Sequence, residues 1–312
     1  TNRIGCTLMT LVTVPYEIAA SDITATNVAL ETAFVNGATY STGDVVLGSD
    51  DMIYELIVAG GAITDDPTDD VQTSWVLLGV PNRLRPFDIQ KGVDQESTIY
   101  TQAVNADTIT YTIENQGRIT ALAFENVRAV SIRVQATEVS SGLDYDETYT
   151  MQDLANIGSS MWNFLNQPLL PEYEYRINGL NFPPSTVVSI TIDNTGSFAR
   201  VGAILMGLTS DLGVLVFEPR WAINSLSVVK YDGYKRTLIR RNPSRTVNGD
   251  VRVSQGSERA VQRVLSDLDG VAALWQFAEG YEEFTIFGVL DSVEVTAKTH
   301  LLQYLAITIK GL

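Results

Sequence analysis

Thr108-Ile-Thr-Tyr-Thr-Ile113, Ser131-Ile-Arg-Val-Gln135 and Val187-Val-Ser-Ile-Thr-Ile192 alternate polar and apolar residues. A period of two sends successive side chains to opposite faces, so each segment reads as a strand with one face on a core. Between them lie turn residues at short intervals, and Asn194-Thr-Gly196 is expected to turn the chain before Arg200 to Leu208, an apolar run fit for a buried strand. Residues 96–220 therefore read as a β-sandwich or jelly roll, and the chain as mainly β.

Towards the N-terminus the pattern shortens. Ala38-Thr-Tyr-Ser-Thr-Gly43-Asp44-Val-Val46 turns at Gly43-Asp44, Met52 to Val58 is its hairpin partner, and Trp75-Val-Leu-Leu78 adds a third strand. This gives a small three-stranded β module over 39–95, with Asp65-Asp-Pro-Thr-Asp-Asp70 as an exposed loop. Residues 1–38 hold a β-rich run, Thr7 to Val14, and a segment at Asn27 to Phe34 that reads as a short helix. They are expected to form an N-terminal arm. Towards the C-terminus, strands near Asn224 to Lys230 and Thr246 to Val253 precede a helix that Ser257 caps and Glu258 supports in the first turn. Ala260, Val261, Val264, Leu265 and Leu268 share one face of it. With strands at Phe284 to Leu290 and Leu302 to Ile309, residues 221–312 read as a small α+β domain.

The composition excludes several functions. Among 312 residues, 21 Lys and Arg stand against 37 Asp and Glu, a net charge of −16 that repels phosphate backbones, so no nucleic-acid partner is expected. A single cysteine, Cys6, cannot form an intrachain disulfide. There is no apolar h-region at the start and no stretch long and apolar enough to span a bilayer, so a soluble protein without signal peptide or transmembrane segment is expected.

Catalytic patterns are missing too. The only histidine, His300, stands beside no nucleophile, and one His with one Cys cannot build a closed zinc site. No phosphate-binding glycine loop occurs. Paired carboxylates of a glycosidase are the remaining option. Asp65, Asp66, Asp69 and Asp70 lack calcium-loop spacing, Glu282-Glu283 sits on a turn, and Asp144, Asp146 and Glu147 are expected on a flexible loop after Gly142. The expectation is a protein that is not an enzyme and holds no cofactor or metal.

Two groups of residues suggest binding instead. Tyr40, Tyr54 and Trp75 fall on the three strands of the small module, either as its miniature core or as faces on which a sugar ring stacks. Lys235, Arg236, Arg240, Arg241 and Arg245 form a basic cluster in an acidic chain, suited to an acidic neighbouring subunit or simply to a solvated hairpin tip.

Several motifs occur in a fixed order: Tyr40-x-x-Gly43-Asp44-x-Val46, Tyr54, Trp75-x-x-x-Gly79, and Asn82-Arg83 followed by Phe87-Asp88. In this order the chain resembles tail-associated proteins of tailed bacteriophages, and its first half is similar to small chitin-binding-type carbohydrate-binding modules. The resemblance extends more loosely through Gly202 to Gly213 and the ending Leu305 to Leu312. Where that group often has Trp and Met, this chain has Leu84-Arg85-Pro86, a departure at the segment tied to sugar contact. The resemblance implies a structural component of the tail or baseplate in a virion, made in the host bacterial cytoplasm, whose partners are copies of itself and other tail proteins. A glycan-binding receptor module, contacting a host surface glycan, is the first alternative, and a polysaccharide depolymerase the second.

Overall fold

The computed structural model of the protein describes residues 9–58, 61–69, 73–88, 101–114, 117–138, 142–153, 170–216, 219–225, 227–232, 235–239, 244–278, 284–299 and 302–311. His300, Arg240, Arg241, Asp70, Glu282 and Glu283 lie outside them. The described chain is mainly β. It runs through β1 (Met9–Pro15), β2 (Ile23–Thr26), β3 (Thr39–Tyr40), β4 (Val45–Leu47), β5 (Ile53–Leu56), β6 (Gly61–Ala62) and β7 (Trp75–Gly79). Then follow β8 (Ala103–Glu114), β9 (Ile119–Glu125), β10 (Ser131–Glu138), β11 (Leu143–Thr150), β12 (Gln152–Asp153), β13 (Leu170–Pro171), β14 (Tyr175–Phe182) and β15 (Val187–Val201). The remainder is β16 (Ala203–Leu215), β17 (Arg220–Asn224), β18 (Val228–Asp232), β19 (Lys235–Ile239), β20 (Ser244–Val253), the helix α1 (Glu258–Asp267), β21 (Ala273–Gln276), β22 (Thr285–Thr299) and β23 (Leu302–Gly311).

Two compact units result: one is Glu17–Met206, the other joins Thr1–Tyr16 to Gly207–Leu312. The division differs from the four segments read off the sequence. The N-terminal strand is no separate arm but a member of the second unit, and the boundary expected at 220/221 falls inside that unit. Asn27 to Phe34 is not helical.

In the first unit a five-stranded antiparallel sheet has the order β11-β10-β15-β8-β2. The alternating segments lie side by side in it and in register. Ile132 pairs with Ile192, Val134 with Ile190 and Ala136 with Val188, while Ile192, Ile190 and Val188 pair on their other side with Ile109, Tyr111 and Ile113. All nine side chains are buried, in three rows across the sheet. Burying such rows removes apolar surface from water at about 25 cal/mol per Å² and fixes the register, since a slip of one residue would expose every one. At Asn194-Thr-Gly196 the chain does not turn away. β15 bulges there and resumes pairing at Phe198, because Asp193 accepts from Thr195 and Asp107 accepts from the Gly196 amide at 2.8 Å.

The second unit closes on itself. β16 pairs with β1, β1 with β21, β21 with β22, β22 with β23, β23 with β20, and β20 returns to β16 through Val214–Arg252 and Leu215–Val251. The six strands form a closed ring of antiparallel ladders, a barrel without free edges along that circuit. Its interior holds Val12, Leu212, Val251, Trp275, Leu305 and Ile307. Trp275 donates its indole N–H to the Gly288 carbonyl at 3.1 Å, so the largest core ring leaves no polar atom unmet. α1 places Val261 and Leu265 on this core, with Leu268 just beyond its end, but Ala260 is exposed. Ser257 does not cap the helix with its side chain; its hydroxyl donates to the Ser254 carbonyl. With a single helix among the described residues, the expected α+β domain is in fact a β-barrel that carries one helix.

Closure depends on a bulge in β16. Thr10 pairs with Gly213 but Leu11 with Asp211, so Leu212 is the extra residue, and Asp211 accepts a hydrogen bond from the Gly213 amide at 2.8 Å. Gly213 has φ +129°, and a Cβ there would lie 2.4 Å from the Arg252 carbonyl oxygen on β20. Only glycine lets β16 pass that close to its second partner. Gly213→Ala is expected to lower the stability of the barrel by roughly 2 to 4 kcal/mol, from backbone strain and the clash together. Chemical denaturation of the purified variant checks this, and an unchanged midpoint would show that the seam does not need the close approach.

Candidate interaction surface

The ordered motif in the first unit builds a small fold of its own. β4, β5 and β7 pair in the order β4-β5-β7, and β3 pairs with β6. Gly43 turns the chain at φ +91°, the Asp44 carboxylate accepts from the Ser41 amide at 2.7 Å, and the Gly43 amide donates to the Leu56 carbonyl. Val46, Tyr54, Leu56 and Trp75 are the buried centre, ringed by Phe34, Tyr40 and Met52. Trp75 has no exposed surface, and Tyr54 is 3% exposed. Tyr40 stands edge-on to Trp75 at 5.6 Å and stacks with Phe34 at 5.6 Å, while its hydroxyl meets the backbone of Val35. Burial raises the pKa of Tyr54, as does its hydrogen bond to Asp50 at 2.7 Å, so that phenol stays protonated. A ring without an exposed face offers no platform to a sugar; of the three aromatics, only Tyr40 is partly open.

Asn82-Arg83 and Phe87-Asp88 bind the module to the five-stranded sheet. The Asn82 side chain both donates to the Val104 carbonyl at 2.8 Å and accepts from its amide at 2.9 Å, adding one strand-like link to β8. Arg83 donates to the Ile23 carbonyl on β2, the buried Tyr111 hydroxyl donates to the Arg83 carbonyl, and Phe87 stands edge-on to Tyr111 at 5.1 Å. Leu84-Arg85-Pro86 leads into the short 3-10 turn Arg85–Phe87, in which Pro86 is buried.

The acidic candidates are mostly accounted for by structure. Asp66 accepts from the amide and hydroxyl of Thr68; burial raises its pKa, but hydrogen bonds from Thr68 and Ser49 outweigh that and hold the carboxyl below its usual value. Asp144, Asp146 and Glu147 do not lie on a loop: all three are on β11, which among the described residues is an edge strand paired only with β10. Arg133 donates to Asp146 at 2.7 Å and holds its pKa low, so Asp146 is a committed ion-pair partner rather than a proton donor. On β9, burial pushes the pKa of Glu125 up to about 7, with Arg176 at 3.2 Å opposing and Glu174 adding to the shift. Glu125 is 3% exposed. Among the described residues, no group of three or more His, Cys, Asp or Glu could hold a metal ion.

The described part of the basic cluster lies on β19 and on β20 next to strands outside the barrel circuit. β20 is longer than its seam with β16: Val251 and Arg252 pair with β16, while Ser244 to Asn248 pair instead with β17. All five residues of β17 are exposed, with Trp221 50% and Ile223 61% open. These two stand opposite Val247 and Arg245, on the side of β20 that turns Val247 into the core. The Arg245 guanidinium lies 5.6 Å over the Trp221 ring. Beyond β17, β18 and β19 pair only with each other among the described residues, and Val228, Val229 and Leu238 are exposed on them. Lys235 opens β19 and Arg236 on it is exposed, so of the five predicted cations the structure places these two on the hairpin and Arg245 at its root. The cations could be read from sequence; Trp221, Ile223 and Leu238 could not, although Arg220-Trp-Ala-Ile-Asn224 alternates in the way that signals one apolar face.

Compared with protein-family profiles and with curated protein sequences, the chain matches none. No described helix is long and apolar enough to cross a membrane.

The two motif clusters predict different losses. Trp75→Ala should empty the centre of the module and cost about 3–5 kcal/mol. Asn82→Ala should cost about 1–3 kcal/mol by leaving the Val104 amide and carbonyl unpaired. Denaturant unfolding checks both, and a Trp75→Ala protein of unchanged stability that had lost sugar binding would instead make Trp75 a contact residue.

Proposed function

We propose that the chain is a non-enzymatic structural component of a tailed-phage tail or baseplate, and that it joins neighbouring subunits. The observation that carries the assembly reading is the arm β17 to β19: Trp221, Ile223, Val228, Val229 and Leu238 all stand exposed on strands outside the barrel circuit. A two-stranded hairpin is at best marginal in water, and clustered exposed apolar side chains mark an interaction site. The placement in a phage tail rests on the ordered motif from Tyr40 to Asp88. Its residues serve folding in this chain, as expected of a module retained for architecture. In the same reading, the five-stranded sheet and the β9–β14 pair are the two layers of a sandwich, Tyr145 of the one packing edge-on against Phe182 of the other at 5.3 Å. The carboxylates of β11 weigh against a depolymerase, and the burial of Trp75 weighs against a sugar-stacking receptor module.

Mass spectrometry of purified particles, with pull-down on the isolated chain, tests the proposal. The chain should be a stoichiometric part of the particle, should retain copies of itself or other tail proteins, and should release no oligosaccharides from host polysaccharide. A strictly monomeric chain absent from particles would overturn the structural reading; reproducible cleavage lost on Asp146→Asn would replace it with an enzyme.

A further inference from the structure

The arm and the rest of the chain carry opposite charges. Residues 220–245 hold seven of the chain's 21 Lys and Arg and one of its 37 Asp and Glu, leaving 14 cations against 36 carboxylates elsewhere. An acidic surface complementary to the arm is therefore present on this same protein. On that surface one element combines charge with a strand edge: among the described residues β11 pairs only with β10, and Asp144, Asp146 and Glu147 are exposed within its eight residues. Arg133 engages Asp146; Asp144, on the same face of the strand as Asp146, and Glu147, on the opposite face between Tyr145 and Tyr149, are both exposed. The strand is held firmly from behind. Tyr145 packs on Phe182, Tyr149 lies 4.9 Å from Tyr175, and the hydroxyls of Tyr145 and Tyr149 share a hydrogen bond. An eight-residue acidic strand at the edge of the described sheet is suited to extension by another strand.

We propose that the arm of one copy docks along β11 of a second copy, with β19 extending the five-stranded sheet and the arm's cations facing Asp144 and Glu147. This rests on the assembly reading above and names its partner. Because the two contacting surfaces differ, the contact is head-to-tail, and it leaves each complex with a free arm at one end and a free β11 at the other. Association then continues past the dimer to a ring or filament.

Light scattering on the purified full-length chain over a range of concentrations, in low and high salt, tests this. Wild type should grow beyond a dimer with concentration, and less so in high salt, where the charges are screened. Arg236→Glu, and separately Asp144→Lys with Glu147→Lys, should each weaken association about tenfold or more. Mixing the two variants should restore a complex that neither forms alone. Asp144→Asn with Glu147→Gln gives a milder version should the reversed strand fail to fold, as checked by circular dichroism, and should weaken association less. Association indifferent to every β11 substitution would overturn the proposal. A chain that stays monomeric at all concentrations would overturn it too, while its retention in particles would leave the assembly role standing with another tail protein as partner.

Discussion

The barrel depends on one strand satisfying two neighbours. Past the Leu212–Gly213 bulge, β16 keeps β1 on one side, Val214 still pairing with Met9, and takes β20 on the other through Val214 and Leu215, and this double pairing closes the circuit. An unpaired ladder there would leave backbone amides and carbonyls without partners along two strands, each costing as much as a lost hydrogen bond. Close approach is required elsewhere on the same strand. A Cβ on Gly207 would lie 2.1 Å from the Val14 carbonyl oxygen of β1. Glycines at these contacts let the strands meet, and the core of Val12, Trp275, Leu305 and their neighbours fills the space they enclose.

The arm follows from that same closure. β20 is ten residues long but meets β16 at only two of them, so its first half would be an open edge had β17 not paired with it. β17 then carries the edge outward, and β18 and β19 follow as a pair with no third strand beside them among the described residues. Folding has thus covered the barrel's edge by moving the exposed edge to the arm, where Trp221 and Ile223 repeat the inward alternation of β20 without a core to cover them. A surface built to the pattern of an interior, and left open in one chain, is suited to completion by a partner.

Much of the architecture was legible because strand alternation is a local signal. The rows of Ile109, Tyr111 and Ile113 against Val188, Ile190 and Ile192 follow from period two alone, as does the helix face of Val261 and Leu265. What escaped was non-local. That Met9 to Pro15 pairs with residues about 200 positions later, and not with its sequence neighbours, is set by barrel closure and leaves no trace in a short window. The placement of Asp144 to Glu147 on a loop failed for a related reason: their polarity reflects an exposed edge strand rather than a turn. At the candidate surface the charges of Lys235, Arg236 and Arg245 stood out against an acidic chain, but exposure of Trp221 and Leu238 depends on which strands lack a partner, and that is a property of topology.

Amide hydrogen exchange of the full-length chain, followed by mass spectrometry in dilute and in concentrated solution, tests most directly whether the arm is a surface awaiting a partner. Ladder amides such as those of Val251, Leu305 and Ile307 should exchange slowly at every concentration, because they belong to the closed barrel. Amides of residues 220–239 should exchange quickly in dilute solution and become protected as the concentration rises. Arm amides protected in dilute solution as fully as those of the barrel, or exchanging quickly at every concentration, would contradict the account.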